Sequence, residues 1–327
     1  MTRSRCCAPR RTGSTCASPR SPAGSWTTTT GGRTRPPRST AGYARRVVHT
    51  GLVLATVLSL ALAAGCADEG GDAGRGSRDG CCATSSTTGG PTSSTAPAPL
   101  AGRVVVLDPG HQLGNARFAS RISRRVDAGG FAKACNTTGT ATGEGYPEAT
   151  FAWQVAAETR RLLERLGARV LLTRDADSAR AWGPCIDERG TIGNPGEPGP
   201  TGDVRVSIHA DGVATGSTGR RAHGFHVIRP GLRAGWTDDV RAPSERLAVA
   251  LRDALDAAGF ARSTYAGDEG IDVRTDLGTL NHSDIPVVMA ELGNMRDGGD
   301  AAVMESPAGR KRYARAVARA IRAFLTG

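Results

Sequence analysis

An α/β layered fold is predicted for the carboxyl-terminal two-thirds of this 327-residue chain, and three observations predict it. From residue 101 onward, short β-branched apolar runs alternate with longer stretches of helical period, the pattern of a sheet covered by helices. Two of the runs, "RVVVLDPGHQ" (103–112) and "VRVSIHADG" (204–212), stop at a histidine followed by turn residues. A third, "IPVVMAELGN" (285–294), reaches a glutamate. Open α/β sheets bind ligands beyond the carboxyl ends of their strands, so these endings also mark where a site should lie.

Taken in order, strands are expected at 103–107, 168–173, 204–208, 224–228 and 285–290. Helices are expected at 147–166, near 185–193, at 241–258 and at 307–325. The first long helix has Pro147 in its first turn, where a missing N–H costs nothing, and Gly167 as its C-cap. Segments 110–146 and 190–203 are glycine-rich and are read as loops. In the Asp-Pro-Gly-His turn, Pro109 fixes φ and Gly110 supplies the positive φ a sharp bend needs, which holds His111 just past the strand. A surface turn that merely contains a histidine is the competing reading of that segment.

Composition divides the chain before residue 101. Residues 1–46 form an Arg-rich leader with ten arginines, no acid and no Val, Leu, Ile or Phe, and are expected to be disordered. That leader supplies +10 of the formal +11 charge, and residues 101–327 carry only +3. The high pI is therefore local, and a nucleic-acid partner is not expected. Residues 47–66, preceded by Arg45 and Arg46, have the layout of an export signal. Their ending, "LAAGC", resembles a lipoprotein cleavage box with Cys66 as the lipidated residue. An uncut anchor is the alternative, though the segment is short for one. Residues 67–100 read as a Gly/Ser/Thr/Pro-rich linker holding Cys81 and Cys82, to which no role is given. Either reading puts 101–327 outside the cytoplasm. There, the two remaining cysteines, Cys135 and Cys185, are most simply a disulfide.

The chemistry sits in four short stretches. In "GYPEATFAWQVAAETRRLLERLG", Glu148 shares the inward helical stripe of Phe151 and Val155. A carboxylate there must be paired, protonated or bound to a metal, unless it is an exposed first-turn acid favoured by the helix dipole. His111 and His209 close two strands, and Asp211 follows to orient a ring or cap a turn. Glu291 alternates with Ile285, Val287 and Met289 on one face. Two imidazoles and a carboxylate form a catalytic zinc set with a position left for water, and a second carboxylate that binds no metal can take that water's proton.

The order DPGH, then Gly-Tyr-Pro-Glu opening a helix, then SIHAD, then AELGN resembles the zinc-dependent N-acetylmuramoyl-L-alanine amidases (amidase type 3). The likeness is greatest to the secreted single-domain amidases of actinobacteria. It covers 101–327 and implies a single catalytic domain: a mixed, mostly parallel sheet flanked by helices on both faces, in three layers. It implies His111, Glu148 and His209 as Zn²⁺ ligands and Glu291 as the catalytic acid/base. It also implies a disulfide between Cys135, in "CNTTGT", and Cys185, in "GPCIDER". The implied reaction is hydrolysis of the amide between N-acetylmuramic acid and L-alanine in peptidoglycan, by a monomer that meets the membrane only through its N-terminal anchor. The run after DPGH, "QLGNARF", departs from the glycine- and acid-rich run of many members and puts local substrate contacts in doubt.

Glu144 is the competing ligand to Glu148. His223 and His226 are read as structural or substrate-lining, and Arg274, Asn281, His282 and Asn294 as residues touching the substrate. Segment 112–146 is long enough to cover the cleft and is expected to gate it. Two other functions stay open: an inactive or partner-regulated peptidoglycan-binding module, and a zinc peptidase acting within the stem peptide.

Overall fold

The computed structural model describes residues 97–214 and 222–327. The expectations for the leader 1–46, for the export segment with Cys66 and for the linker up to residue 96, with Cys81 and Cys82, lie outside the described residues. Leu100 is already part of the core: it is fully buried, and its N–H donates to Leu166 O.

The first half of the described chain gives β1 (Val104–Pro109), a 3-10 turn (Asn115–Phe118), α1 (Ala119–Ile122), β2 (Arg125–Asp127) and β3 (Ala132–Ala134). Then come α2 (Glu148–Arg165), β4 (Arg169–Leu172), α3 (Ile186–Thr191) and β5 (Val204–Asp211). The second half gives β6 (His226–Pro230), α4 (Arg241–Ala257), β7 (Ile271–Arg274) and α5 (Gly278–Asn281). It ends with β8 (Val287–Asn294), α6 (Gly298–Glu305) and α7 (Pro307–Thr326). Six strands make one sheet in the order β4-β1-β5-β8-β6-β7, parallel throughout except at the β8–β6 pair. The chain is therefore α/β with a mixed, mostly parallel sheet, and β2 and β3 form a separate antiparallel hairpin.

Strand alternation sorts the side chains into two layers. Val204, Val206, Ile208 and Ala210 of β5, with Val288, Ala290 and Leu292 of β8, enter the main core against α2, α4 and α7. Buried α2 residues Phe151, Val155 and Leu163 form the matching stripe, each contributing about 1.5–3 kcal/mol by burial. Tyr313 of α7 stacks on Phe260 with ring centroids 4.0 Å apart and meets Phe151 edge-on. The other sheet face carries Ser207, Met289 and Ile228 toward α5, with Leu280 packed on them. On that face, His209, Glu291 and His226 lie in one row across β5, β8 and β6.

Three readings are corrected. Segment 110–146 is not one loop, because the 3-10 turn, α1 and the β2–β3 hairpin lie within it. Strands of three residues are too short to show an alternation in sequence. Strands β5 and β8 run on to Asp211 and Asn294, so His209 and Glu291 lie inside strands rather than at their last residues. Both strands continue because each pairs with a neighbour beyond that point, with a register shift between His209 and Asp211. The positive φ in the Asp-Pro-Gly-His turn belongs to His111 (54°), and Gly110 is not among the positive-φ glycines.

Candidate active site

Four segments far apart in sequence bring their polar groups to one end of the sheet. His111 follows β1 in a left-handed conformation that non-glycine residues seldom adopt. Its Nδ1 lies 3.1 Å from Thr137 O, which can only accept, so Nδ1 carries a hydrogen and Nε2 is the ring nitrogen turned to Glu148. That Nε2 is 3.0 Å from Glu148 Oε1, and His209 Nδ1 is 2.9 Å from the same oxygen. Glu148 is the first residue of α2, entered through Pro147 in extended conformation. Its Oε2 accepts from the Thr140 N–H at 3.0 Å. Burial alone would raise the Glu148 carboxyl, but the charge and hydrogen bond of His111, joined by those of His209, hold it below the usual carboxylate range.

Two glycines make the room. A Cβ on Gly110 would lie 2.3 Å from His209 Cε1, so this residue is small because the second imidazole occupies its side-chain space. A Cβ on Gly139 would lie 2.8 Å from Glu148 Oε2 and 2.9 Å from His111 Cδ2, and its φ is +75°. One ligand atom from each of His111, Glu148 and His209 lies within 4.8 Å of the others. Two imidazoles and a carboxylate whose second oxygen is already satisfied suit a zinc ion with a position open to water. Among the described residues no other group of three His, Cys, Asp or Glu converges in this way. Glu144, the competing ligand, is exposed and outside that group.

The turn is held from beneath by a buried ion pair that the sequence reading did not single out. Arg189 of α3 pairs with Asp108 at 2.6 Å, both almost fully buried. It also donates to Pro109 O at 2.9 Å, to Pro184 O at 3.0 Å and to His111 O. Ser207 and Thr173 add hydroxyl donors to Asp108. Burial would raise the Asp108 carboxyl, and Arg189 with these two donors instead drives it far below the usual range. The only sequence signal was Asp108 at the end of an apolar run, which has to be compensated by a cation somewhere in the chain.

Glu291 sits in register with His209 and lines a cleft of about 500 Å³ together with the three ligand candidates, Lys133, Thr137–Thr140, Arg189, Asp211 and Leu277–Thr279. Burial, then the charges of Asp211 and Glu148, raises its carboxyl well above the ordinary carboxylate value. A larger groove of about 740 Å³ runs along β4 past Trp153 and Pro198–Pro200, with no histidine or cysteine in its wall.

The remaining expected residues fall elsewhere. Arg274 pairs with Asp276 at 2.8 Å at the sheet's far edge and does not line the cleft, although its charge bears on Glu291. Asn281 is fully buried and gives its amide to Ala128 O and Thr275 O. Asn294 gives its own to Val213 O and Ala222 O, and His282 Nε2 lies 3.0 Å from Asp127 O. Those three side chains brace backbone. The segment 112–146 walls the cleft through Lys133–Thr140 and is tied down at several points. Arg233 stands over Phe131 at 4.4 Å and donates to Gly129 O, and Lys133 pairs with Asp276. Cys135 is joined to Cys185 by a disulfide.

The chain is similar to known amidases in sequence and in fold. A family described as N-acetylmuramoyl-L-alanine amidase matches residues 105–323. An N-acetylmuramoyl-L-alanine amidase of Mycobacterium tuberculosis, Rv3717, is 41% identical over 238 residues, covering 72% of this chain and 91% of the relative. The crystal structure of the amidase Ami1 from Mycobacterium smegmatis is similar with a TM-score of 0.61 and 40% identity, covering 69% of this chain and 98% of that one. The apo form of Ami1 from Mycobacterium abscessus gives a TM-score of 0.62 and 44% identity, covering 69% and 99%.

Proposed function

The chain belongs to the N-acetylmuramoyl-L-alanine amidase family, and from that premise we propose a zinc-dependent hydrolysis of the amide joining N-acetylmuramic acid to L-alanine in peptidoglycan. The observation that carries the metal is the convergence of His111, Glu148 and His209 beside Glu291 in one cleft. His111 and His209 would each offer a ring nitrogen to the ion and Glu148 one oxygen. When bound there, zinc supplies Lewis acidity to the scissile carbonyl and to the attacking water.

The protein's own part is proton handling and orientation. Glu291, as carboxylate, takes a proton from the attacking water and delivers it to the leaving amine of L-alanine. The lactyl carbonyl carbon gains the oxygen, the C–N bond breaks, and the products are a carboxylate and a free amine. A carboxyl whose proton affinity is raised by burial is suited to both halves of that transfer. Arg189 and Asp108 hold the His111 turn, and Thr137 fixes its tautomer.

The test is the zinc-loaded chain on purified muropeptide, with products read by mass. Stem peptide bearing a free L-alanine amine, lost with chelator and restored by zinc, is expected. Glu291→Gln should retain zinc and lose about 10²–10⁴-fold in turnover. Cleavage inside the stem peptide would overturn the reading in favour of a peptidase, and binding without cleavage would favour a wall-binding module. The same reading has the protein exported and anchored through Cys66, acting as a monomer. Labelling with a fatty-acid analogue should mark the wild type and not Cys66→Ser.

A further inference from the structure

His226 is a buried histidine that the reaction above does not use, and its surroundings give it a task. It lies on β6 directly opposite Glu291 on β8, so the two side chains share one sheet face as a cross-strand pair. His226 is 2% exposed and Glu291 8%. His226 Nδ1 and Glu291 Oε2 are both buried atoms with no hydrogen-bond partner among the described residues. Buried polar atoms are rarely left so, because each has given up its water without a replacement. Two such atoms on directly opposed residues, one able to donate and the other able to accept, complement each other.

The far end of the ring makes no competing hydrogen bond. His226 Nε2 faces Asp211 Oδ2 at 3.7 Å, too far for a hydrogen bond. That oxygen already takes the Tyr265 hydroxyl at 2.9 Å, and Tyr265 meets the His226 ring edge-on. A neutral imidazole carries one hydrogen, and on Nδ1 that hydrogen is on the side of the unpaired carboxylate oxygen.

We propose that His226 is a positioning residue for Glu291. Nδ1 and Oε2 make no direct hydrogen bond, so the Nδ1–H reaches Oε2 across one enclosed water, and this fixes the carboxylate so that Oε1 is turned to the reacting amide. The inference rests on the amidase reading, with Glu291 as its base, and concerns geometry rather than metal binding. It also gives His226 a role that a merely space-filling histidine would lack.

Asparagine and glutamine substitutions separate these roles, because an Asn amide nitrogen falls near the place of Nδ1 and a Gln amide nitrogen near that of Nε2. His226→Phe and His226→Gln should lower kcat about ten- to hundredfold, the range for losing a hydrogen bond to a charged group. KM should stay within about twofold, and zinc content and melting temperature should stay close to wild type. His226→Asn should keep kcat within about threefold. The proposal is overturned if all three variants keep wild-type kcat, if Gln rescues and Asn does not, or if the three lose kcat in step with zinc or melting temperature. An active wild type with any of those patterns removes His226 alone. A wild type that releases no L-alanine amine removes the amidase reading and this inference with it.

Discussion

At the scale of single residues, the site depends on a histidine held in an unfavourable backbone conformation. His111 has a φ of 54°, a region that costs about 1–3 kcal/mol for a residue with a side chain. Arg189 takes up its carbonyl together with that of Pro109, and Asp108 holds Arg189. Replacing Asp108 by Asn should therefore destabilise the fold by about 3–5 kcal/mol at neutral pH, since Arg189 stays buried without its counter-charge. The pH dependence has a definite sign. The folded-state carboxyl of Asp108 titrates below its unfolded value of about 3.9, so its stabilisation is complete above that value and is lost as the pH falls toward the folded one. Denaturant melts of wild type and Asp108→Asn should thus differ most at pH 7, with the gap closing below about pH 4. A gap of constant size would remove the ion pair as its cause. Gly110→Ala should keep the fold and weaken zinc binding, because the added methyl group meets the His209 ring; competition against a chelator reads this directly.

At the scale of elements, the disulfide joins the end of the β2–β3 hairpin to the residue that caps α3, the helix that carries Arg189. Closing 50 residues of chain is worth about 4 kcal/mol in the entropy model. A Cys135→Ser/Cys185→Ser protein should melt at lower denaturant by about that amount. Because α3 and the Thr137 segment are both released, it should also hold zinc less tightly than a variant equally destabilised at α7; equal zinc affinity in the two would confine the disulfide to stability. Elements with long periods are legible in the amino-acid order itself. Helix α2 shows its stripe from Phe151 to Leu163, and its capping glycine Gly167 has a φ of 91°. The hairpin, β7 and α6 are not legible in that way. Val126 and Cys135 of the hairpin are buried against Cys185, a contact made 50 residues away, and β7 has only four residues. Where tertiary contacts rather than periodicity hold an element, sequence pattern carries little of it.

At the scale of the molecule, the residues offered as zinc ligands and general base are spread over about 180 positions, from His111 to Glu291, and meet only when β1, α2, β5 and β8 are assembled. Their residue types are legible in the sequence because an acid or imidazole closing an apolar run needs a reason, whereas the continuation of β5 and β8 past His209 and Glu291 is not. The Asp108–Arg189 pair and the His226–Glu291 opposition are not, because they depend on which strands are neighbours and on register. A site built this way exists in the folded state alone, so the free energy of a metal ion binding there would also be folding free energy. Free zinc at a thousand times its Kd should stabilise the protein by about 4 kcal/mol, visible as a rise in melting temperature that chelation reverses. Removing one ligand, as in His209→Ala, should abolish most of that rise. Glu291→Gln should keep it while losing turnover, because that carboxylate is assigned to the proton and not to the ion. The two variants thus dissociate binding from chemistry in one set of melts and one assay. An unchanged zinc-induced rise in His209→Ala would show that the ion binds elsewhere and would separate the cleft from the metal.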